Sequence, residues 1–462
     1  MRELEADYVV VGAGVMGLAF VDTLLAESDA SAILLDRRTS VGGHWREAYS
    51  FVRLHSPSAL YGVNSTALGD EAPSSDPLNA GLMGMAGKDE VVHYLDKVMS
   101  DRLLASGRVT WLPGHDWRGE GMAVGLADGT AIRLRARRRV VDATLTDTHT
   151  PASHGPGFDV DPGVRCIAPH ELPAAEAADA HVVVGAGKTA IDTVLWLLDA
   201  GRAPETIRWI RPRDPWLLNR AMFQPRRDQL VQVLTGWAGE MQAAAAATDV
   251  DNLFLRWEAI GTMRRLDPAV TPSLFHCAFV SDGELVRLRQ VKDVVRLGRV
   301  QRIARDRIVL EQDEIPTAPD TLHIHCTAAG VPRVPTRPVF EPGRINLHYV
   351  RRCAPPFSAA LIARVAATVS GDNERNALCA PVAMVDAPRD WIAALLHDAH
   401  ARKFWARQPE LDAWIQDSRL DRFGALLKEA GADPTDAEAA ALGRWRTAVG
   451  PGLAGLSRIL TL

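Results

Sequence analysis

The 462-residue chain has only five cysteines, and no two of them form a C-x-x-C pair. Cys166, Cys277, Cys326, Cys353 and Cys379 are scattered and odd in number. Neither a disulfide framework nor a dithiol redox centre is expected from them. Zinc-ligand spacing is missing too, so no metal site is expected. No apolar run approaches the roughly 20 residues of a membrane span. Charge of one sign is also in short supply: 52 Lys and Arg against 57 Asp and Glu give a net charge of −5. That balance implies neither a nucleic-acid nor an anionic-membrane partner. The first strand-like run is under way by Tyr8, so no signal peptide is expected ahead of it. The expectation is a cytoplasmic protein of a reducing compartment whose chemistry belongs to organic cofactors.

What the chain does have is glycine at one particular spacing, twice. Tyr8-Val-Val-Val11 is a short apolar run of the kind buried in a parallel sheet, and Gly12-Ala-Gly14-Val-Met-Gly17 follows it. Gly12 allows a tight turn, Gly14 lets backbone approach a pyrophosphate, and Gly17 lets the next helix, Leu18 to Leu25, pack on the strand. That helix's N-terminus offers free N–H groups and about half a positive charge. A second strand, Ser31 to Leu35, ends at Asp36, about 20 residues after the last glycine, where a carboxylate accepts ribose hydroxyls.

The grammar repeats at Ala180-His-Val-Val-Val184, then Gly185-Ala-Gly187-Lys-Thr-Ala190 and a helix from Thr189 to Leu198. Here the next strand, Thr206 to Ile210, ends in Arg211-Pro-Arg213 and not in an acid. Arginine binds a 2′-phosphate that a carboxylate would repel, so NADPH is expected at this site. The alternative is that the two arginines belong to a solvated loop. A P-loop reading of Gly187-Lys188-Thr189 fails, because Val182 stands where its first glycine must be. Two nucleotide sites in one chain point to an electron exchange between them.

The size allows about two to three domains. A loop-rich stretch follows Asp36 and runs through Val41-Gly-Gly-His-Trp45, His55-Ser56-Pro57 and Tyr61-Gly-Val-Asn64 to a Gly/Pro/Ser segment at 69–87. A helix is expected at 91–104. Strand-like runs at 122–126 and 132–134 read as a β-meander, and 140–144 reads as a return to the first sheet. The Arg133 to Arg139 cluster is expected on a solvated edge. A linker at 151–162 leads to the second unit, whose own return is the run from Leu322 to Gly330, followed by prolines from Val331 to Pro338. Residues 228–265 read as an inserted helical cap. Pro355 to about Val369 is an apolar helix with Ser358 as its N-cap. The tail beyond 388 is helical and carries Trp391, Phe404, Trp405 and Trp414, a stripe suited to core or to a homodimer surface.

Taken together, Gly12-x-Gly-x-x-Gly17, Asp36, Gly42-Gly43-His-Trp45, Ala143-Thr144, Gly185-x-Gly-x-x-Ala190 with Asp192, and Cys326-Thr-Ala-Ala-Gly330 resemble the class B flavoprotein monooxygenases over about residues 5–370. The resemblance implies an α/β fold of two Rossmann-like dinucleotide-binding domains with a helical insertion and a helical tail. Its parts are 1–160 for FAD, 161–325 for NADPH, 326–387 as the FAD-domain return, and 388–462 as the tail. By position it makes Gly12, Gly14, Gly17, Asp36, Arg37, Gly43 and Trp45 FAD residues. Gly185, Gly187, Lys188, Thr189, Arg211 and Arg213 become NADPH residues. It further implies an NADPH-reduced flavin that reacts with O2 to a C4a-peroxyflavin and oxygenates a small molecule.

Two family features are missing. In the F-x-G-x-x-x-H signature around Gly163, Asp161 and Ile167 occupy the Phe and His positions, and Ala143-Thr144 is followed by Leu145. A reductase on the same two sites, or an FAD-binding sensor or scaffold, are the rival readings. Candidate active-site residues are His44, His55, Ser56 and Asn64, on the loops that follow the first βα unit.

Overall fold

A computed structural model of the chain describes residues 1–146, 148–328, 330 and 333–461. Ala329, Val331 and Pro332, which belong to the runs read above as the second return and its prolines, lie outside the described residues.

The first sheet forms around β1 (Arg2–Val11), whose Val9 and Val10 are fully buried. Both faces of a parallel strand are covered, so its sequence is continuously apolar where it crosses the core. Strands β2 (Ala32–Asp36) and β3 (Val109–Pro113) lie to one side, parallel to β1, with Val11 opposite Leu35. β6 (Ala131–Asp142) lies to the other side. Beyond β6 come β20 (Arg344–Asn346), parallel to it, and the antiparallel β19 (Phe340–Glu341). The sheet therefore draws on residues 2–142 and 340–346.

Two helices, α1 (Val15–Glu27) and α7 (Pro355–Thr368), pack one face of this sheet. The meander of β4 (His115–Gly119), β5 (Met122–Gly125) and β6 covers a smaller core on the other. α2 (Lys88–Lys97) and the turns after it extend the first core. The meander has three strands and not the two expected, and β6 is one strand of 12 residues where two segments were read. β20 pairs only with 140–142 and β5 only with 131–133, so 134–139 has β1 on one side alone, and Arg135, Arg137 and Arg138 are solvated there as expected. Arg137 and Arg135 pair with Glu5 at 3.2 Å each, and Arg139 pairs with Asp372 at 2.7 Å.

The second sheet is wholly parallel, in the order β14 (Asp293–Val295), β10 (Ile207–Ile210), β9 (His181–Val184), β18 (Leu322–His325), β8 (Cys166–Ile167). α3 (Lys188–Asp199) and α6 (Asp282–Leu288) pack its core. A four-stranded sheet of β7 (Asp159–Val160), β15 (Val300–Ile303), β16 (Arg307–Leu310) and β17 (Glu314–Pro316) covers the opposite face.

A three-stranded sheet of β11 (Trp216–Asn219), β12 (Met263–Arg265) and β13 (Phe279–Val280) carries the insertion, α4 (Leu230–Ala246) and α5 (Val250–Ala259). The expected helical cap thus ends in a strand: β12 pairs with β11, which removes 263–265 from the helical segment. α8 (Asp372–Leu378), α9 (Pro388–Trp405), α10 (Pro409–Asp417), α11 (Arg422–Ala432) and α12 (Asp436–Thr461) complete the chain. No helix among the described residues is long and apolar enough to cross a membrane.

The tail aromatics face inward. Trp405 is 3% exposed and donates from Nε1 to the Leu378 carbonyl at 2.8 Å, and Trp414 donates to Glu27 at 2.7 Å. Trp391 stacks on Phe275 at 4.7 Å. These rings serve this chain's own core, the first of the two readings of that stripe. Ser358 is also not an N-cap. It lies inside α7, where its hydroxyl accepts from Val350 N–H at 3.2 Å and donates to Ala354 O at 2.8 Å.

Candidate active site

Both fingerprints turn from strand to helix with bare helix ends. Gly14 caps α1 and Gly187 caps α3, in each case with no side chain hydrogen-bonded to the first turn. Those N–H groups are left for an external acceptor, as an anion site requires. Gly12 (φ +103) lies against the Ala143-Thr144 strand end, and Gly185 (φ +129) lies against Cys326. The two βα units thus meet their own return strands in the same way. Gly17 has the third glycine's role: a Cβ there would stand 2.0 Å from Gly12 O. Gly43, at φ +55, faces Gly14, with its Cβ position 3.2 Å from Gly14 Cα. The glycine box therefore closes over the fingerprint loop and narrows the slot to backbone width. At Gly187 nothing stands within 4 Å of a Cβ.

Asp36 ends β2 and lines the cavity, but the chain already uses its oxygens. Oδ2 accepts from Ala13 N–H at 2.7 Å and Oδ1 from Arg38 N–H at 2.8 Å. The carboxylate thereby ties the fingerprint loop to the strand that follows it. Its second lone pairs remain for ribose hydroxyls, as a carboxylate oxygen accepts more than one bond. Arg37 lines the same rim and pairs with Asp116 at 3.5 Å. Trp45 donates from Nε1 to the Tyr61 hydroxyl at 2.6 Å. Burial holds the Tyr61 phenol well above its ordinary pKa, so the hydroxyl keeps its proton.

The two fingerprints open on one cavity of ≈ 2100 Å³. That is larger than a pocket for one small molecule, typically about 300–1,000 Å³. The loop 44–56 crosses from the first unit to α3 and carries the polar contacts between them. Tyr49 donates to Asp192 at 2.7 Å, and Lys188 pairs with the same carboxylate one helical turn earlier. Phe51 stacks on Trp196 at 5.3 Å. Burial raises the pKa of both Tyr49 and Asp192, with the Asp192 charge next in importance for Tyr49 and Lys188 opposing the rise for Asp192. Lys188 lines the cavity with its ammonium paired to Asp192.

Of the four active-site candidates, three line the cavity: His44, His55 and Ser56. Asn64 does not line it. Its Oδ1 accepts from Ser418 at 2.7 Å, which joins the loop to the tail. His55 packs edge-on to Phe279 at 5.6 Å, and its enclosed Nδ1 has no hydrogen-bond partner. Burial, with Lys188 and Arg220 adding repulsion, pulls its pKa down to about 3, so the ring is neutral at working pH. Its carbonyl accepts from Arg220 at 3.2 Å. Arg220 is itself buried, in an ion pair with Glu284 at 2.8 Å, and it also donates to Asn79.

The arginines after β10 are placed differently from each other. Arg211 is 3% exposed, lies over the Trp209 ring at 4.8 Å, and pairs with Asp214 at 3.2 Å. It does not face the cavity, so its assignment to a 2′-phosphate is corrected. The cause is the enclosed acid three residues on, which alternation along a strand end does not reveal. Arg213 does line the cavity, bridged to Asp386 by two bonds of 3.1 Å. Arg333 also reaches Asp386, at 3.0 Å, and so does His276, at 2.8 Å. The solvated-loop alternative does not fit Arg211, while the Arg213 side chain is 40% exposed. Gly12, Gly14, Gly43, Trp45, Gly185, Gly187 and Thr189 all line the cavity, whereas Gly17 lies behind it.

One cysteine expectation is overturned. Cys277 and Cys353 form a disulfide with Cα atoms 6.5 Å apart, and both line the cavity. They are separated by 76 residues, so only tertiary folding brings them together. Apart from Glu120, they are the only described non-glycine residues with positive φ.

Sequence reasoning also missed Tyr49, Arg220 and Glu240. Tyr49 and Arg220 have partners more than 60 residues away, and no spacing marks them. Glu240 did carry a signal: it is the sole charged residue of the 17-residue α4.

Among solved structures, the chain is similar to cyclohexanone monooxygenase with ε-caprolactone bound (15% identity, 94% of this chain and 98% of that one, TM-score 0.51). It is likewise similar to an oxidized steroid monooxygenase bound to NADP (15% identity, 79% and 85%, TM-score 0.50). Its fold is that of the class B flavoprotein monooxygenases. An uncharacterized protein of Mycobacterium tuberculosis and one of Mycobacterium bovis are each 43% identical to it over 426 residues, 92% of this chain and 79% of theirs. The chain belongs to the family of these mycobacterial proteins. No protein-family model matches it.

Proposed function

We propose that the protein is an FAD-dependent, NADPH-reduced monooxygenase acting on a small molecule with O2. The observation that carries this reading is the pair of uncapped helix ends, α1 and α3, opening through glycine-lined slots onto one cavity. Residues 1–160 and 326–387 would form the FAD domain, and 161–325 the NADPH domain.

Both groups fit the residues present. At the first site the opposed Gly14 and Gly43 leave a cradle that a Cβ would fill, and Asp36 stands at the ribose end. At the second, Gly187 and the first turn of α3 face open space, with Arg213 at the far rim. When bound, the flavin supplies hydride acceptance from NADPH and the reaction with oxygen.

The chain's own residues position and insulate this chemistry. The α1 and α3 N–H groups bind phosphate. Tyr61 keeps its proton and orients Trp45. Tyr49 keeps its proton on its hydroxyl and holds Asp192, which Lys188 neutralises, so the two units meet without an unpaired buried charge. His55 stays neutral in the cavity wall, where its ring would border the bound groups without adding charge. Asn64, bonded to Ser418, has no such part.

A reductase without oxygen insertion is the second reading. It is favoured by Asp161 and Ile167, whose positions serve structure here. Asp161 pairs with Arg302 at 2.8 Å, and Ile167 lies in β8, paired with β18.

The test is oxygen uptake by the purified FAD-loaded protein with NADPH. Oxygen consumption that a substrate accelerates, with less peroxide released per NADPH, supports the monooxygenase. NADPH oxidation that proceeds equally under nitrogen with an added acceptor, and forms no oxygenated product, overturns it for the reductase.

A further inference from the structure

The part of the cavity under α4 is built differently from the nucleotide slots. A row of rings leads away from His55: Phe279 at 5.6 Å, then Phe223, Phe423, Trp237 and Trp445, with steps of 5.2, 5.2, 5.1 and 5.8 Å. Aromatic walls give large contact area and admit flat or ring-bearing molecules. In this wall one turn of α4 places a carboxyl group, Glu240, between Trp237 and Met241 on the cavity side.

Glu240 is half-buried and has no ion-pair partner among the described residues. The Thr262 hydroxyl lies within hydrogen-bonding reach of it, but its one proton is directed to the Trp257 carbonyl at 3.2 Å. The guanidinium that acts on it, Arg352, is paired with Asp398 and lies over the Trp391 ring at 5.0 Å. Arg351 and Arg402 both serve Asp421, at 2.7 and 3.1 Å. Burial lifts the Glu240 pKa to about 7, against the opposing effects of Thr262 and Arg352. A carboxyl with this much unused acceptor capacity in an apolar wall is costly unless something satisfies it. Its place is fixed as well, because α12 lies so close to α4 that a Cβ on Gly455 would stand 2.0 Å from Ala244 O.

We propose that this branch is the substrate site, and that Glu240 selects an apolar, ring-bearing molecule whose one polar end is a hydrogen-bond donor, a hydroxyl or an ammonium. The inference rests on the oxidoreductase reading for its meaning, but not for its test. Glu240 accepts from the donor, the ring wall holds the frame, and the far end is left toward His55 and the first fingerprint.

The experiment measures binding to the FAD-loaded protein by quenching of tryptophan fluorescence, with Trp237 and Trp445 as reporters. The probes share one frame: 2-ethylnaphthalene, 2-(2-naphthyl)ethanol, 2-(2-naphthyl)ethylamine and 3-(2-naphthyl)propanoate. At least one donor probe should bind on the order of tenfold more tightly than the parent hydrocarbon, and the carboxylate more weakly than either donor. Glu240→Leu should abolish the donor preference and keep the parent's affinity. Glu240→Gln separates the two donors: loss for the amine alone identifies an ammonium end, and retention for a tight-binding alcohol identifies a hydroxyl end. Donor preference unchanged in both variants, or tightest binding by the carboxylate, overturns the proposal. If Glu240→Leu fails to fold, Glu240→Ala, which also leaves no acceptor, takes its place under the same criteria. The oxidoreductase reading fails separately, by the absence of NADPH oxidation, and leaves these binding ratios untouched.

Discussion

Gly187→Ala adds one methyl group where the protein has nothing for it to strike. Gly187 has φ −82 and ψ −174, an extended conformation open to any L-residue, and no heavy atom lies within 4 Å of the new carbon. Two small stability effects oppose each other. Alanine is a poorer N-cap than glycine by roughly 0.5–1 kcal/mol, while the stiffer unfolded chain returns about 0.4–1 kcal/mol. The melting temperature should therefore barely move. The methyl would instead occupy the space through which a pyrophosphate approaches the α3 N–H groups. Losing one charge-assisted hydrogen bond there costs about 1.5–3 kcal/mol, or roughly ten- to 150-fold in affinity. The assay is anaerobic stopped-flow reduction of bound FAD across NADPH concentrations. The apparent dissociation constant should rise by that factor with FAD content unchanged. Gly17→Ala is the contrast, since its Cβ would lie 2.0 Å from the Gly12 carbonyl and should cost FAD or the fold itself. Wild-type NADPH affinity in folded, FAD-loaded Gly187→Ala would refute the placement of the second nucleotide.

Thiol titration of the denatured, unreduced protein should give the three free cysteines, Cys166, Cys326 and Cys379, and five after reduction. Opening the 76-residue loop by Cys277→Ser and Cys353→Ser should cost about 4 kcal/mol in chemical denaturation, and five thiols without reductant would show that the bond is absent. Glu284→Gln leaves Arg220 buried without its counter-charge and should destabilise by about 3–5 kcal/mol, whereas a change under about 1 kcal/mol would mean that Asn79 suffices. His55 is neutral when folded, with its pKa down to about 3 from 6.5. Unfolding therefore takes up a proton below pH 6.5, and stability should fall with falling pH toward 3 by up to about 1.4 kcal/mol per unit. His55→Gln should flatten that limb, and an unchanged pH profile would place the cause elsewhere.

The nucleotide-binding framework was legible because its chemistry is local. A strand, a glycine fingerprint and a helix within about 30 residues form one βα unit, and both copies lie where the sequence puts them. Parallel strands that are covered on both faces also betray themselves by unbroken apolar runs, as at Val9 and Val183. What escaped was non-local. Arg211 and Arg213 look equivalent in sequence, yet one is buried against Asp214 and the other bridges to Asp386, 173 residues away. Asn64 reads like a loop residue near a cofactor until the tail's Ser418 claims it. The short strands β4 and β12 are defined by their pairing and not by their own composition. Glu240 is the instructive case, because its isolation within an apolar helix could be read but the wall of rings around it could not.

The polypeptide passes from the first sheet to the second between residues 142 and 166, and returns between 325 and 340. Two crossings of chain alone would make a hinge. The Cys277–Cys353 bond adds a third fixing, since Ala278 packs in the second sheet's core and Phe357 in the first's. Arg213 bridged to Asp386, Trp391 stacked on Phe275 and Tyr49 bonded to Asp192 add more. A body pinned at so many points leaves the traffic of nucleotide and substrate to the yielding of loops such as 44–56, and the disulfide is one rivet among several.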